Sequence, residues 1–162
     1  MADFGDGEGI VEALTCVPAI TDGARQMKGI SPYLNFDGKT YDAMSFYHEC
    51  LGGRLDMQTF ADANIPAAPG TENRVLHARL EAGAATIMAS DTMPGAPYLI
   101  GNNVHLNIDC ENVEELERLF AALGRGGTVT MPLANQFWGA RFGMLTDKFG
   151  MSWMFNCELQ RG

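Results

Sequence analysis

The sequence is poor in positive charge, with 11 Lys and Arg residues against 20 Asp and Glu residues and a net charge of -9. An acidic surface repels the phosphates of nucleic acids and anionic lipid headgroups, so neither is an expected partner. No apolar run approaches the roughly 20 residues of a membrane-spanning helix, so a membrane protein is not expected. The first residues lack the basic start and long apolar stretch of a secretory signal peptide.

Closely spaced cysteines and phosphate-binding loops are also missing. The four cysteines form no CxxC pair, which in a chain of this size predicts reduced thiols in a cytoplasmic protein. The glycine pairs Gly52-Gly53 and Gly126-Gly127 lack the GxxxxGK[ST] spacing and are interpreted as helix ends. No G-x-S-x-G elbow marks a serine as the nucleophile of a Ser-His hydrolase. The cysteines are Cys16, Cys50, Cys110 and Cys157.

The composition is that of a globular protein, with 46% hydrophobic and 19% charged residues in 162. Residues 30–162 are predicted to form one domain. Residues 1–29 differ, because they start rich in Gly and Asp and then carry one short apolar piece. That segment is either a leader or an arm that packs on a partner subunit, since Ile10, Val11 and Leu14 share a helical face.

Two helices are predicted from apolar spacing and end signals. Thr40 is expected to cap a helix that runs to about Leu51 and ends at the first glycine pair. Asn112, with Glu115 three residues on, has the spacing of a capping box for a helix over 113–123. Alternating segments predict the strands, which are Ile30–Phe36, Arg54–Phe60, Asn73–Glu81, Ala84–Ser90, Asn103–Cys110, Thr128–Leu133, Ala140–Thr146 and Met151–Cys157.

The order of these elements occurs twice. The stretch AMSFYHECLGGRLDM, from Ala43, aligns with LERLFAALGRGGTVTM, from Leu116, with one extra residue in the second. This internal repeat predicts an α+β fold of two tandem βαβββ modules, one at about residues 30–91 and the other at about 101–158. Neither module buries its helix and sheet face alone, so their pairing is expected to give one core and a curved mixed sheet with a central cleft.

Four segments carry a resemblance to a known family: SPYLNFDG, FYHECLGG, GNNVHLNIDCENVEEL and NQFWGARFGMLTDKFGMSWMFN. Together they resemble the PhnB-like branch of the glyoxalase/bleomycin-resistance/dioxygenase superfamily, also called the vicinal-oxygen-chelate superfamily, over about residues 30–158. The resemblance implies the glyoxalase fold and a homodimer. It leaves the activity open, because members of one fold carry out different chemistry or only bind a ligand.

The resemblance also implies a divalent metal, held by His or Glu from the first and last strands of each module. Of the four matching positions only His105 carries such a residue, and the other three are Ser31, Met88 and Met154. Thioether sulfurs do not suit a hard divalent ion. We therefore expect no cofactor and no metal held by the usual four ligands.

Strand alternation selects the side chains that face away from the helices. In the first strand these are Ser31, Tyr33 and Asn35, and in the fifth His105 and Asn107, with Val104 expected on the helix side. His105, His77 and Tyr33 are the candidate catalytic residues because they offer a base and hydrogen-bonding groups. The candidate ligand-binding residues are Ser31, Asn35, Met88, Asn107, Trp138, Arg141 and Met154.

Three functions fit this pattern. The first is a small-molecule-binding protein, which as an enzyme would be a lyase or hydrolase using a cleft histidine on a small carbonyl, ester or phosphonate-like substrate. The second is a drug-sequestering resistance protein without catalysis, favoured by the acidic charge and the methionines of the cleft. The third is a non-catalytic interaction module. Arg141 either binds a ligand anion or pairs with Asp147 or Glu158.

Overall fold

The chain forms a strand, a helix and three strands, and then the same five elements again. The computed structural model describes residues 29–159. The first module contains β1 (Tyr33–Phe36), α1 (Thr40–Leu51), β2 (Arg54–Thr59), β3 (Val75–Ala82) and β4 (Ala85–Asp91). The second contains β5 (Leu106–Asp109), α2 (Val113–Leu123), β6 (Thr128–Asn135), β7 (Ala140–Thr146) and β8 (Ser152–Glu158).

The predicted α+β fold of two βαβββ modules is confirmed, and both helices lie where the apolar spacing placed them. The strands that open each module are shorter than predicted, because residues 30–32 and 103–105 precede β1 and β5 without joining a ladder. Neither helix is long and apolar enough to cross a membrane. The predicted arm with Ile10, Val11 and Leu14 lies outside the described residues.

The strands form two four-stranded mixed sheets rather than the single curved sheet that was predicted. The first sheet has the order β1-β4-β3-β2 and the second the order β5-β8-β7-β6. In each sheet the first strand pairs in parallel with the last strand of its module, and the other pairings are antiparallel. Within residues 29–159 no ladder joins β1 to β5, so the two sheets remain separate hydrogen-bonded units.

Each helix covers one face of its own sheet, and the two helices also contact each other. The buried face of the first sheet carries Leu34, Ala78 and Leu80, and that of the second carries Leu145 and Phe155. These residues belong to one cluster with the buried faces of both helices. Because successive side chains of a strand point to opposite faces, the alternate residues form an open face on each sheet.

The two helices begin differently. Asn112 caps α2 as predicted, since its side-chain oxygen accepts a hydrogen bond from Glu115 N at 2.9 Å. The prediction that Thr40 caps α1 was wrong. The N-cap is Lys39, whose side chain makes no capping hydrogen bond, and Thr40 is the first helical residue. Both the backbone N–H and the hydroxyl of Thr40 donate to Asp91 instead.

The second glycine of each pair allows the chain to pass close to a hairpin of its own sheet. A Cβ atom at Gly53 would meet the backbone of Glu81, and one at Gly127 would meet the backbone of Thr146. Gly53 also has φ of 89°, in the region that L side chains avoid. The repeat in the sequence thus corresponds to a repeated packing contact that excludes a side chain.

Asp147 is a buried carboxylate at the end of β7, with 4% of its surface exposed. Its Oδ2 atom accepts hydrogen bonds from the Tyr47 hydroxyl at 2.7 Å and from Trp153 Nε1 at 2.8 Å. Its Oδ1 atom accepts from the backbone N–H groups of Phe149 at 2.8 Å and Met151 at 3.0 Å. Burial, followed by the nearby Asp147 charge, raises the pKa of Tyr47 far above its usual range. The phenol therefore stays protonated and donates to the carboxylate.

Candidate functional site

The open face of the first sheet brings together two of the predicted catalytic residues. The Tyr33 hydroxyl lies 3.2 Å from His77 Nδ1, and their ring centroids are 5.9 Å apart. Tyr33 comes from β1 and His77 from β3, so the contact spans the intervening strand β4. Both side chains are exposed on the side away from α1, as strand alternation predicted. The phenol can donate a hydrogen bond to a ligand, and the imidazole beside it can accept a proton from the same ligand.

Half-buried and polar residues surround this pair. Met88, on β4, is the parallel partner of Tyr33 and the antiparallel partner of Arg79. On the next row Ser90 donates to Asn35 at 3.3 Å. The open face of the first sheet is therefore largely polar, with one thioether next to the Tyr33–His77 pair.

The open face of the second sheet has a different character. Three methionines occupy paired positions on successive strands, Met131 on β6, Met144 on β7 and Met154 on β8, and Asn107 on β5 completes this row. We call Met131, Met144 and Met154 the methionine row. Thioether side chains adapt to the shape of an apolar ligand. The sequence analysis selected only Met154, although Met131 and Met144 also lie in alternating segments.

A carboxylate lies on the same face beside the methionine row. Asp109 accepts a hydrogen bond from Asn107 at 2.8 Å through one oxygen and from Asn156 at 3.2 Å through the other. All three side chains lie on the open face of the second sheet, and Asp109 is exposed. The two amides orient the carboxylate without neutralising its charge.

Aromatic rings extend this face at the turn between β6 and β7. Trp138 packs edge-on against Phe142 of β7 at 6.0 Å and against Phe137 at 4.9 Å between ring centroids. Trp138 is 49% exposed and Phe137 is 96% exposed. Trp138 thus lies at the border of the open face, where its ring is free to contact a ligand or another protein chain.

Two other candidates lie before the strands that were expected to hold them. Ser31 precedes β1 and His105 precedes β5, and both are exposed. Among the described residues His105 makes no side-chain hydrogen bond and does not join the Tyr33–His77 contact. Val104 was expected on the helix side of the fifth strand and is 64% exposed, which corrects that prediction. The alternation rule fails here because residues 103–105 are not part of the ladder.

Arg141 lies on the opposite face from the other candidates. Its guanidinium donates to Glu117 of α2 at 2.7 Å and to Asn135 at 3.2 Å. Of the alternatives left open for Arg141, the pairings with Asp147 and with Glu158 are therefore wrong. Arg141 is the register partner of Cys157, which is buried towards the helix, and this places Arg141 on the helix side of β7.

The metal site that the resemblance implies is not matched by the residues present. Within residues 29–159 no three His, Cys, Asp or Glu side chains come together in a way that could hold an ion. Met88 and Met154 occupy corresponding positions on β4 and β8, each opposite the first strand of its module. Thioethers at two of the four positions do not fit a hard divalent ion.

A cavity of about 560 Å3 lies beside β1 and is lined in part by Tyr33, whereas His77 lies outside its lining. Its walls come from β1, from the segment 97–104 and from the start of β8. Tyr33 and Asn35 contribute the polar side, and Leu99 and Ile100 an apolar side. This volume lies in the range of small-molecule pockets in proteins.

Comparison with protein families gives one match over most of the chain. The model of a family described as 3-demethylubiquinone-9 3-methyltransferase matches residues 28–155. The matched segment includes all ten elements of the fold except the last residues of β8.

Solved structures resemble both the sequence and the fold. The crystal structure of protein PA1353 from Pseudomonas aeruginosa is 42% identical, with a TM-score of 0.73, and the match covers 81% of this chain and 98% of that one. A putative 3-demethylubiquinone-9 3-methyltransferase, PhnB protein, from Bacillus cereus is 29% identical, with a TM-score of 0.67 and coverage of 79% and 98%.

A more distant structure supports the fold alone. It is a glyoxalase/bleomycin resistance protein/dioxygenase family enzyme from Burkholderia phytofirmans. It is 18% identical, with a TM-score of 0.53, and the match covers 78% of this chain and 97% of that one. The two-module architecture is therefore the glyoxalase fold, as the sequence predicted.

Proposed function

Because this chain belongs to the PhnB-like family whose model is described as 3-demethylubiquinone-9 3-methyltransferase, we propose that it binds a small, partly apolar molecule with the Tyr33–His77 pair as the polar anchor. The observation that carries the proposal is the 3.2 Å contact between Tyr33 Oη and His77 Nδ1 on the open face of the first sheet. A carbonyl, ester or phosphonate-like oxygen accepts a hydrogen bond from the phenol, while the imidazole holds or takes up a proton.

The apolar part of such a ligand needs a different surface. The methionine row supplies one on the second sheet, together with Phe137 and Trp138 of the turn between β6 and β7, which we call the aromatic turn. Met88 supplies a smaller one next to the Tyr33–His77 pair. Methionine side chains fit ligands of varied shape, so the polar anchor would set the ligand class and the methionines would tolerate variation in the rest. As an enzyme, the protein would use His77 as the base of a lyase or hydrolase reaction.

One observation favours sequestration of a cationic drug as the second candidate function. The Asp109 carboxylate is held on the open face by two amides and has no cationic partner among the described residues. With a net charge of -9, the protein attracts cations from a distance. In this case Asp109 would bind the cationic group of the drug, and the Tyr33–His77 pair would contribute little to the affinity.

The methyl transfer named in the family description would need a methyl donor bound to this chain. Gly53 and Gly127, which lie in the glycine pairs, are in close contact with strand backbone and offer no free cradle for a nucleotide-like cofactor. The Tyr33–His77 pair, the methionine row and Asp109 are suited to binding a ligand, but none of them identifies a methyl donor.

The anchor is tested by ligand binding to variants of the full chain. Carbonyl, ester, phosphonate and cationic drug compounds are screened by thermal shift, and hits are titrated by calorimetry. For a ligand of the proposed class, Tyr33→Phe and His77→Ala should each weaken affinity by about 1 to 3 kcal/mol, because a partner is lost. That corresponds to roughly 5- to 150-fold in Kd. Melting temperatures without ligand should stay close to that of the wild type.

Three further variants distinguish the proposed anchor from the alternatives. Tyr41→Phe, an exposed tyrosine of α1, should leave affinity unchanged. His105→Ala should also have no effect, and a large loss there with none at His77 would contradict the proposed anchor. If only Asp109→Asn weakens binding, and only for cations, sequestration is the function. Failure of every compound to bind would favour the interaction module.

We also propose a homodimer, with the aromatic turn as part of the contact. Phe137 is 96% exposed and packs edge-on against Trp138, which is a costly arrangement for a surface that stays in water. Sedimentation equilibrium of the full chain should give about twice the monomer mass of 17.6 kDa. Phe137→Asp should shift the mass to that of the monomer, whereas Ile65→Asp, in the loop before β3, should not. A dimer that persists in Phe137→Asp would exclude this turn as the contact.

A further inference from the structure

Cys110 and Cys157 lie at neighbouring positions of two paired strands. The parallel pairing of β5 and β8 runs to Asp109 opposite Asn156. One residue further, Cys110 N donates to Asn156 O at 2.8 Å. In a parallel ladder this hydrogen bond completes the Asp109–Asn156 pair, which is the last pair of the ladder. Cys110 and Cys157 are thus the residues that follow this last pair on the two strands, and Cys157 is close enough to Cys110 to contribute to the raised pKa of that thiol.

The two side chains also share a face. Alternation from Ile108 and Phe155, which pack in the core, places both cysteines on the side of α2. Cys157 is 2% exposed, and Cys110 is partly accessible. Both are free thiols in this structure. Neighbouring strands lie about 4.7 to 4.9 Å apart, which is within the Cα separation of about 4.4 to 6.8 Å found in disulfides.

We propose that Cys110 and Cys157 are an oxidation site, at which a low-molecular-weight disulfide converts the two thiols into an intramolecular disulfide. Side chains on neighbouring parallel strands, and those that directly follow the last pair, must tilt together to bring their Cβ atoms to the usual separation of about 3.8 Å. A disulfide closed against such strain is readily reduced. The bond would accordingly be a reversible modification rather than a permanent structural disulfide.

The reaction balances with oxidised glutathione as the oxidant. The Cys110 thiolate attacks one sulfur of oxidised glutathione, the S–S bond breaks, and one glutathione leaves as a thiolate that takes up a proton. The Cys157 sulfur, on losing its proton, then attacks the Cys110 sulfur of the mixed disulfide. The second glutathione leaves and is protonated. Two protein thiols lose two electrons in total, and oxidised glutathione becomes two molecules of glutathione.

The surroundings of Cys110 set the pH dependence of the first step. Burial raises its pKa to about 11, with further raising contributions from Glu115, Cys157 and Asp109 and a lowering contribution from Arg118. The thiol form thus dominates at neutral pH, and the thiolate fraction grows as pH rises towards the pKa. The initial rate should increase roughly tenfold per pH unit between pH 7 and pH 9.

Oxidation would act on the second sheet from its buried side. β5 has only four residues and one strand partner, β8. A bond at its end fixes β5 beneath Asn107 and Asp109, whose side chains lie on the open face. The modification thus connects the core side of the sheet to the candidate ligand surface.

The experiment uses the folded full chain with oxidised glutathione at pH 8, followed by alkylation of the remaining thiols, intact-mass measurement and peptide mapping. The expected product has lost two hydrogen atoms, contains a cross-link between the peptides with Cys110 and Cys157, and returns to the starting mass with dithiothreitol. Cys110→Ser should abolish the cross-link, and Cys50→Ser should leave it unchanged. A cross-link through Cys16 or Cys50, or no cross-link, would overturn the proposal.

Cys157 is buried, so its replacement needs a readout that is independent of stability. In Cys157→Ala the first step remains and the second is lost, so Cys110 should accumulate as a stable mixed disulfide with glutathione. If this variant fails to fold, the Cys110→Ser variant still decides, because Cys110 is partly accessible. Absence of the mixed disulfide in folded Cys157→Ala would contradict the role of Cys110 as the attacking thiol.

Discussion

Replacing Asp147 with alanine should lower the free energy of unfolding by about 3 to 5 kcal/mol. The carboxylate accepts four hydrogen bonds, and its removal leaves the Tyr47 hydroxyl and Trp153 Nε1 buried without an acceptor. Each orphaned buried group costs about 1 to 3 kcal/mol, and the turn N–H groups of Phe149 and Met151 lose their acceptor as well. A loss of this size is a large fraction of the stability of a small domain.

Urea unfolding followed by tryptophan fluorescence measures the effect, since Trp153 lies in the network. Tyr47→Phe alone should cost only about 1 kcal/mol, because Asp147 keeps three of its donors. In the double variant the phenol is no longer present to be orphaned. A double-mutant cycle should therefore give a coupling energy of about 0.5 to 2 kcal/mol, and additive effects would mean that the 2.7 Å contact contributes no coupling.

Replacing Asp91 with alanine should destabilise the protein by about 2 to 4 kcal/mol. Its carboxylate receives the backbone N–H of Thr40 at 3.0 Å, the Thr40 hydroxyl at 2.7 Å and the backbone N–H of Val75 at 2.8 Å. It thereby joins the end of β4 to the starts of α1 and β3. Thr40 is fully buried, so its groups have no ready access to water once the acceptor is lost.

A matched control is available on the same sheet. Asp56 of β2 is also an aspartate in a side-chain hydrogen bond, but its partner is the exposed Arg54. Asp56→Ala should change stability by less than about 0.5 kcal/mol, as exposed pairs contribute little. Amide hydrogen exchange should show faster opening of the first turn of α1 in Asp91→Ala. Equal effects of the two substitutions in urea unfolding would contradict the joining role of Asp91.

The candidate site was predictable in part. Strand alternation placed Tyr33, Asn35, His77, Met88, Asn107 and Met154 on the open faces, because these residues lie inside the ladders where alternation is strict. His105 and Val104 lie just outside a ladder, and there alternation gives no information. Arg141 was assigned to the ligand from its chemistry alone, and its actual partner Glu117 lies on a helix that the strand pattern does not describe.

The two modules, their helices and the glycines between helix and strand follow from the local sequence alone. These features depend on residues a few positions apart, whose periodicity and backbone freedom act locally. Which polar groups meet depends on how the whole chain folds. Tyr33 and His77 are 44 residues apart, and Tyr47 and Asp147 are 100 apart. The formation of two sheets also depends on the fold of the whole chain, because sheet pairing depends on which backbone groups the folded chain brings within hydrogen-bonding distance, and the local pattern is the same for either arrangement.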